Sequence, residues 1–332
     1  MKCIYFIACD PGGYDVIRPI YDMMITQPEI SCSLSLSGAS GSAHPEFQVD
    51  PDVFLAQMDE LDPSEGTYAL VTGTSWKSTF ETDAISLCRS RGIVTISVLD
   101  FWSNYRMRFL NGEDFVFPDY FFVMDDLAAR EALEDGVESR IRTIGHPGLD
   151  SLYGIRDHNI APKVDAGHRV LLLSQPIKAV YGDSLGFDEY DVTEDVVRVC
   201  SELGLELAVL FHPKDEETLI NQYAAYAISG KIKEIVCDFD IVVSMITIGL
   251  LHCNLLGVPV LSYQPHPSDK DMCVTDRLGI TRRLISYDEL KHALSADTTS
   301  GHDVPLPEWF DGRSAERGMT EILKVMDEYY RQ

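Results

Sequence analysis

The stretch VSMITIGLLHCNLLGVPVLSYQPHP, Val243 to Pro267, decides the fold. A β-type run (DIVVSM) passes through small and hydroxyl-bearing residues into an apolar helical run (GLLHCNLLG), then into a second β-type run (PVLSYQP). Two short apolar runs joined by a helical pattern read as parallel strands with a crossover helix. Ser244, Thr247, Gly249, His252 and Asn254 stand in this run as if addressed to a ligand. The unpaired amides where a helix begins near Ile248, with the hydroxyls of Ser244 and Thr247, suit a phosphate. Packing alone requires neither those hydroxyls nor His252.

Working outward, the same alternation fills the chain. Downstream of residue 168 it continues as RVLLLSQP, TEDVVRVCSEL, LELAVLFHP and DEETLINQYAAYAIS, read as strand, helix, strand and helix. Upstream, strands are expected at 3–9, 30–36, 68–72, 94–99, 120–123 and 142–144, with helices at 16–26, 51–61, 77–91 and 125–134. Periodicity lapses across YGIRDHNIAPKVDAGH (153–168), where Pro, Gly and charged residues mark a linker. The expectation is an α/β protein of two Rossmann-like, doubly wound domains, 1–155 and 156–332. In such sheets ligands lie at the carboxyl ends of the strands.

Those ends carry the candidate residues. ACDPGGYDV places Asp10, Gly12 and Gly13 in the first strand-to-helix turn, where glycine lets backbone approach a ligand, although the spacing is not GxGxxG. VTGTSWKSTFE offers Thr74 and Ser75, and SVLDFWSNYRMRF crowds Asp100, Arg106 and Arg108 into one loop. The competing reading of Asp10, Thr74 and Ser75 is helix capping. Asp10 and Asp100 are the candidate general bases, with Arg106 expected on a phosphate or an anionic acceptor. In the second half, Ser174 and Gln175 follow one strand and His212 and Lys214 another, with His212 suited to phosphate binding or proton transfer.

Composition excludes other classes. With 53 acidic against 27 basic side chains, the formal charge of −26 opposes nucleic acid as a main partner. The Arg106/Arg108 and Arg282/Arg283 pairs could each still meet one small anion. The eight cysteines are scattered without zinc spacing, so no metal site is expected and most should be reduced core residues. The opening MKCIYFIACDPGG breaks into Asp-Pro-Gly-Gly and reads as a strand, and no window supplies the ~20 apolar residues of a spanning helix. A cytoplasmic protein is the expectation.

Three motifs together resemble the GT-B superfamily of nucleotide-sugar enzymes. IRTIGHPGLDSL resembles the GHP segment that closes the first domain of UDP-N-acetylglucosamine 2-epimerases, and FHPKDEE resembles the His-Pro loop of capsule-type and polysialyltransferase-like enzymes. DIVVSMITIGLLHCNLLGVPVLS resembles the donor-binding element D-x-x-x-S…E-a-x-x-x-G-x-P-v. The resemblance implies two domains facing across a cleft, with Ser244 and Thr247 on the donor phosphates, His252 (where the family has Glu) near the ribose, and an acceptor beside Asp10 or Asp100. It departs from the epimerases in having DPGG for R-P-E and SQP for GHRRE, which favours a metal-independent glycosyltransferase of surface polysaccharide or glycoconjugate synthesis. The alternatives are a 2-epimerase-like isomerase or hydrolase and a non-catalytic sugar-nucleotide-binding protein. The implied partners are a nucleotide-sugar donor, a saccharide or glycoconjugate acceptor and a second copy as homodimer, with no cofactor beyond the substrate.

Overall fold

The computed structural model describes residues 2–75, 78–159, 169–268, 271–295 and 305–331. The chain divides into two compact units, Met1–Ser151 with Glu308–Gln332, and Leu152–Pro307. This differs from the expected 1–155 and 156–332 in one respect of substance: the C-terminal helix belongs to the first unit.

In the first unit, strands β1 (Lys2–Ala8), β2 (Ile30–Leu36), β3 (Thr67–Thr72), β4 (Val94–Val98), β5 (Tyr120–Val123) and β6 (Arg140–Thr143) form one parallel sheet in the order 2-1-3-4-5-6. All six lie within two residues of the expected positions. β4 and β5 are buried at every residue, as strands covered on both faces must be. Helices α1 (Pro11–Met24), α2 (Pro51–Asp59), α3 (Phe80–Ser90) and α4 (Asp126–Glu134) connect them. α1 begins with Pro at N1 and buries Val16, Ile17, Ile20 and Met24, a one-sided stripe at helical spacing. The start of the expected 77–91 helix lies outside the described residues.

Helix α5 (Asp150–Asn159) runs through the first part of the expected linker; residues 160–168 of that linker are outside the described set. In the second unit, β7 (Arg169–Leu173), β8 (Glu206–Leu210), β9 (Ala227–Ile228), β10 (Ile241–Ser244), β11 (Val260–Tyr263) and β12 (Arg283–Leu284) form a parallel sheet ordered 9-8-7-10-11-12. Helix α6 (Glu189–Leu203) is capped by Asp188, whose carboxylate accepts from the amides of Tyr190 and Asp191, and ends on Gly204 at φ 68°. The expected helix at 215–229 is a correction. It is α-helical only over Glu217–Gln222, with a 3-10 turn at Ala224–Tyr226, because Ala227 and Ile228 leave it to pair with Val209 and Leu210 at the sheet edge. Helices α7 (Ile248–Leu255) and α8 (Tyr287–Ser295) follow.

The last helix, α9 (Ser314–Tyr329), returns to the first unit. Its stripe of Ala315, Ile322, Val325 and Met326 packs into one core with Ile17, Ile20, Val94, Ile96 and Tyr120. Gly318 sits against Ile20, where an added Cβ would come within 2.7 Å of the Ile20 side chain. Two of its free N-terminal amides are satisfied from outside: Asp150 accepts from Ser314 N at 3.1 Å and Ala315 N at 2.8 Å. Replacing Asp150 by Ala is expected to cost about 1 kcal/mol, the usual loss for a carboxylate cap. A urea midpoint identical to the wild type would show that water replaces the cap without cost.

Among the described residues no helix is long and apolar enough to cross a membrane.

Candidate functional site

Each sheet reverses its winding once, and the crevice at such a reversal is where open α/β sheets bind ligands. In the first unit the reversal lies between β1 and β3, which are hydrogen-bonded neighbours. The turn after β1 and the loop after β3 meet there through glycines. A Cβ on Gly73 would lie 2.6 Å from Gly13 Cα, so neither loop tolerates a side chain at that contact. A Cβ on Gly12 would collide with the Asp100 carboxylate, which therefore lies directly against the turn.

Beside this contact Asp100, Thr74 and Arg108 form one cluster. Arg108 Nη1 donates to Asp100 Oδ1 at 2.5 Å and to Thr74 Oγ1 at 2.9 Å, and Thr74 Oγ1 donates to Asp100 Oδ1 at 3.2 Å. The ion pair is largely withdrawn from water, with the Asp100 and Arg108 side chains 18% and 8% exposed. The expected arginine, Arg106, is elsewhere: its guanidinium lies 4.0 Å from the centre of the Phe115 ring and its amide donates to Asp135. Two residues along a turn reverse a side chain's direction, and Arg108 faces the carboxylate instead. Asp10 does not cap α1 with its side chain, although capping was the competing reading; its amide donates to Ser75 Oγ at 3.2 Å.

Two buried groups behind the loops were not singled out from sequence. Glu81 Oε1 accepts from Cys9 N at 2.9 Å and from Ser75 Oγ. Burial, reinforced more weakly by Asp10, pushes its pKa up to about 7 against the hydrogen bonds from Ser75 and Cys9. His146, in the GHP segment after β6, donates from Nε2 to the Asp100 carbonyl at 3.0 Å and stacks on Trp102. Burial holds its pKa below 6.5, so the ring is neutral at physiological pH. Trp102 and Trp309 both donate to Asp125 Oδ2, at 2.8 and 3.2 Å, fastening the segment before α9 to the end of β5. A cavity of about 790 Å³ adjoins the β1 turn, lined in part by Cys9, Ser37, Gly38, Gln48, Thr79 and Asp83.

In the second unit the reversal lies between β7 and β10, where the sequence placed Ser174, Gln175, Ser244 and Thr247. The four do not serve alike. Ser244 is wholly buried and its hydroxyl donates to the Leu173 carbonyl at 2.6 Å, so it ties β10 to β7 rather than presenting a donor. This corrects the expectation of a hydroxyl open to phosphate. Gln175 Oε1 accepts from Ile246 N at 2.8 Å, closing one amide of the loop before α7, and Thr247 caps that helix through Gly249 N at 3.1 Å. Ser174 Oγ is buried and has no hydrogen-bond partner among the described residues.

His212 and Lys214 lie at the carboxyl end of β8, one strand from the reversal. Asp215 accepts from His212 N at 2.7 Å and His212 Nδ1 accepts from Lys214 N at 3.1 Å; His212 is partly buried and Lys214 is exposed. His252 lies on α7, partly exposed. The Arg282/Arg283 pair is engaged internally, with Arg282 on Glu289 and Arg283 on Gln264. Gln264 also donates toward Asp271 and Asp276, and burial raises Asp276 to about 6. Among the described residues no group of three or more His, Cys, Asp or Glu side chains could hold a metal ion.

No protein-family model matches the chain, and no curated protein matches it in sequence. Solved structures match over nearly its whole length. MnaA of S. aureus, determined with UDP, superposes with a TM-score of 0.63 at 10% identity, covering 98% of this chain and 97% of that one. UDP-GlcNAc 2-epimerase from Neisseria meningitidis, bound to UDP-GlcNAc, gives 0.64 at 9% identity over 98% and 100%. The wall teichoic acid polymerase TagF gives 0.50 at 14% identity over 98% and 90%. At such identities the likeness establishes the fold alone, and that fold is GT-B.

Proposed function

We propose that this protein binds a nucleotide sugar, with UDP-N-acetylglucosamine as its first candidate, and turns it over without a second sugar as acceptor, by 2-epimerase-type isomerisation or hydrolysis. The observation that carries the reading is the Thr74–Asp100–Arg108 cluster set against Gly12 at the winding reversal of the first unit. It stands on a fold matched end to end by 2-epimerase structures. This ordering reverses the expectation from the motifs, which placed a glycosyltransferase first.

The chemistry of the cluster fits a sugar better than a phosphate. Arg108 is already neutralised by Asp100, so the pair offers no net positive charge to a diphosphate. It does offer a fixed carboxylate acceptor and guanidinium donors to hydroxyl and amide groups. Inversion at a carbon next to the anomeric centre requires a proton to leave one face and return to the other, and Asp100, or Asp10 in the turn after β1, is the group proposed to accept or donate it. In the second unit the amide end of α7, Thr247, His212 and Lys214 are proposed to meet the nucleotide's phosphoryl groups. Ser174 and Gln175 are proposed to border that site, and His252 to lie toward the ribose.

The test is incubation with UDP-N-acetylglucosamine alone in D₂O, followed by NMR and mass spectrometry. Isomerisation is expected to give a 2-epimer carrying deuterium at C2, and hydrolysis to release UDP with uptake of one water. No change in the sugar over hours, with turnover appearing only when a saccharide or glycoconjugate acceptor is added, would move the assignment to a transferase. The TagF likeness and the His212–Lys214 loop support that second reading.

A further inference from the structure

We propose that Glu81 is a positioning residue for the first-unit site: its carboxylate holds the turn after β1 and the loop after β3 in register, and proton uptake loosens that hold. The proposal rests on the reading of this site as sugar-binding only for its consequence on affinity.

The geometry converges on one oxygen. Cys9 N donates directly to Glu81 Oε1, and Asp10 N donates to Ser75 Oγ, which itself donates to the same Oε1. Two consecutive amides of the β1 turn and a hydroxyl of the β3 loop are thus tied to a side chain on the first turn of α3. The Gly13–Gly73 contact beside them is backbone against backbone, with no side chain of its own to set the spacing. Glu81 thereby fixes where Asp10, Gly12 and Thr74 stand relative to one another.

A charge is an expensive way to make such a tie unless the charge matters. Glu81 is 4% exposed, and its Oε2 has no hydrogen-bond partner among the described residues. Among the described residues the groups facing it are the Cys9 amide at the end of β1, Asp10 in the turn before α1 and the Ser75 hydroxyl after β3; of these Asp10 carries charge, of the same sign. Among the described residues no cation faces this carboxylate, so the groups there that hold it ionised are its hydrogen-bond donors, and burial raises its pKa to about 7. Around neutrality the tie therefore passes between a charge-assisted form and a weaker neutral one. The Ser-Thr-Phe-Glu run at 78–81 reads in sequence as an ordinary helix start, so nothing local distinguishes this glutamate.

Two quantities should move in opposite directions with pH. Because the folded pKa lies above the ordinary 4.5, global stability from this group is fully present below about 4.5 and is lost as pH rises through about 7. Local order of the turn, and with it affinity, should instead increase over the rise through 7.

The experiment compares the full-length wild type, Glu81→Gln and Glu81→Ala between pH 5.5 and 8.5. It measures amide hydrogen exchange of the segment containing Cys9 and Asp10, corrected for intrinsic rate, urea midpoints, and UDP-N-acetylglucosamine affinity by calorimetry. In the wild type, protection and affinity are expected to rise about tenfold toward high pH, the difference between a charged and a neutral hydrogen-bond acceptor. Glu81→Gln keeps an acceptor oxygen without a titration, so its protection and affinity should be flat across this range and its stability should fall less with pH. Glu81→Ala should lose protection at every pH. A folded Glu81→Gln protein that retains the wild-type pH profiles of exchange and stability overturns the proposal. Absence of sugar-nucleotide binding in all three proteins would instead count against the functional reading, with the exchange data still deciding the role of Glu81.

Discussion

Arg108→Met is expected to destabilise the protein by about 3–5 kcal/mol, the cost of leaving a largely buried charge without its partner. The guanidinium is the cation on Asp100, and it also donates to Thr74 Oγ1 and the Ser103 carbonyl. Its removal strands the carboxylate against the Gly12 backbone, where no side chain can enter to compensate. The double variant Asp100→Asn with Arg108→Met should recover much of the loss, since the asparagine needs no counter-ion. Urea unfolding of the two single variants and the double variant forms a mutant cycle. A single Arg108→Met variant within 1 kcal/mol of wild type, an approximate bound for exposed pairs, would mean that water screens the cluster and that its preorganisation is illusory. The same cycle bears on function, because a cluster that is stiff without ligand is what a site needs to orient a sugar.

Ile322→Ala is expected to cost about 2–5 kcal/mol, which is the range for truncating a fully buried aliphatic side chain. Ile322 is inaccessible to solvent and belongs to a core that, besides α9 itself, draws on α1 and on strands β1 to β5, more than 170 residues earlier. The helix is further fastened by Asp150 at its start and by Tyr330, whose hydroxyl donates to the Tyr68 carbonyl at 2.7 Å. The loss should therefore appear in the first unit. Hydrogen exchange under mild urea should show β1, β3 and β4 opening while the second-unit strands stay protected. Equal loosening of both units, or none, would show that α9 does not complete the first core.

Much of the architecture was legible along the chain. Parallel strands buried on both faces are short continuous apolar runs, and runs such as ALVT (69–72), VTISV (94–98) and IVVS (241–244) fit that pattern. The loops after them stand out because Asp, Gly, Ser and Thr interrupt that pattern, so the candidate residues gather at strand ends in the sequence itself. The helix at 215–229 failed for the opposite reason: its composition favours helix, but Ala227 and Ile228 gain an edge-strand pairing that no local propensity announces.

What the chain determines by itself is the type of each element and the chemistry available at its ends, because backbone propensity and apolar period act over a few residues. What the tertiary structure decided is which ends become neighbours. Strand order made β1 meet β3 and β7 meet β10, chose Arg108 over Arg106 for Asp100, sealed Ser244 beneath the Leu173 carbonyl, turned Glu81 toward Cys9 and carried α9 back to the first core. Each of these outcomes depends on contacts between segments distant in sequence, whose free energy arises only when desolvated surfaces and hydrogen-bonding groups are brought together in space.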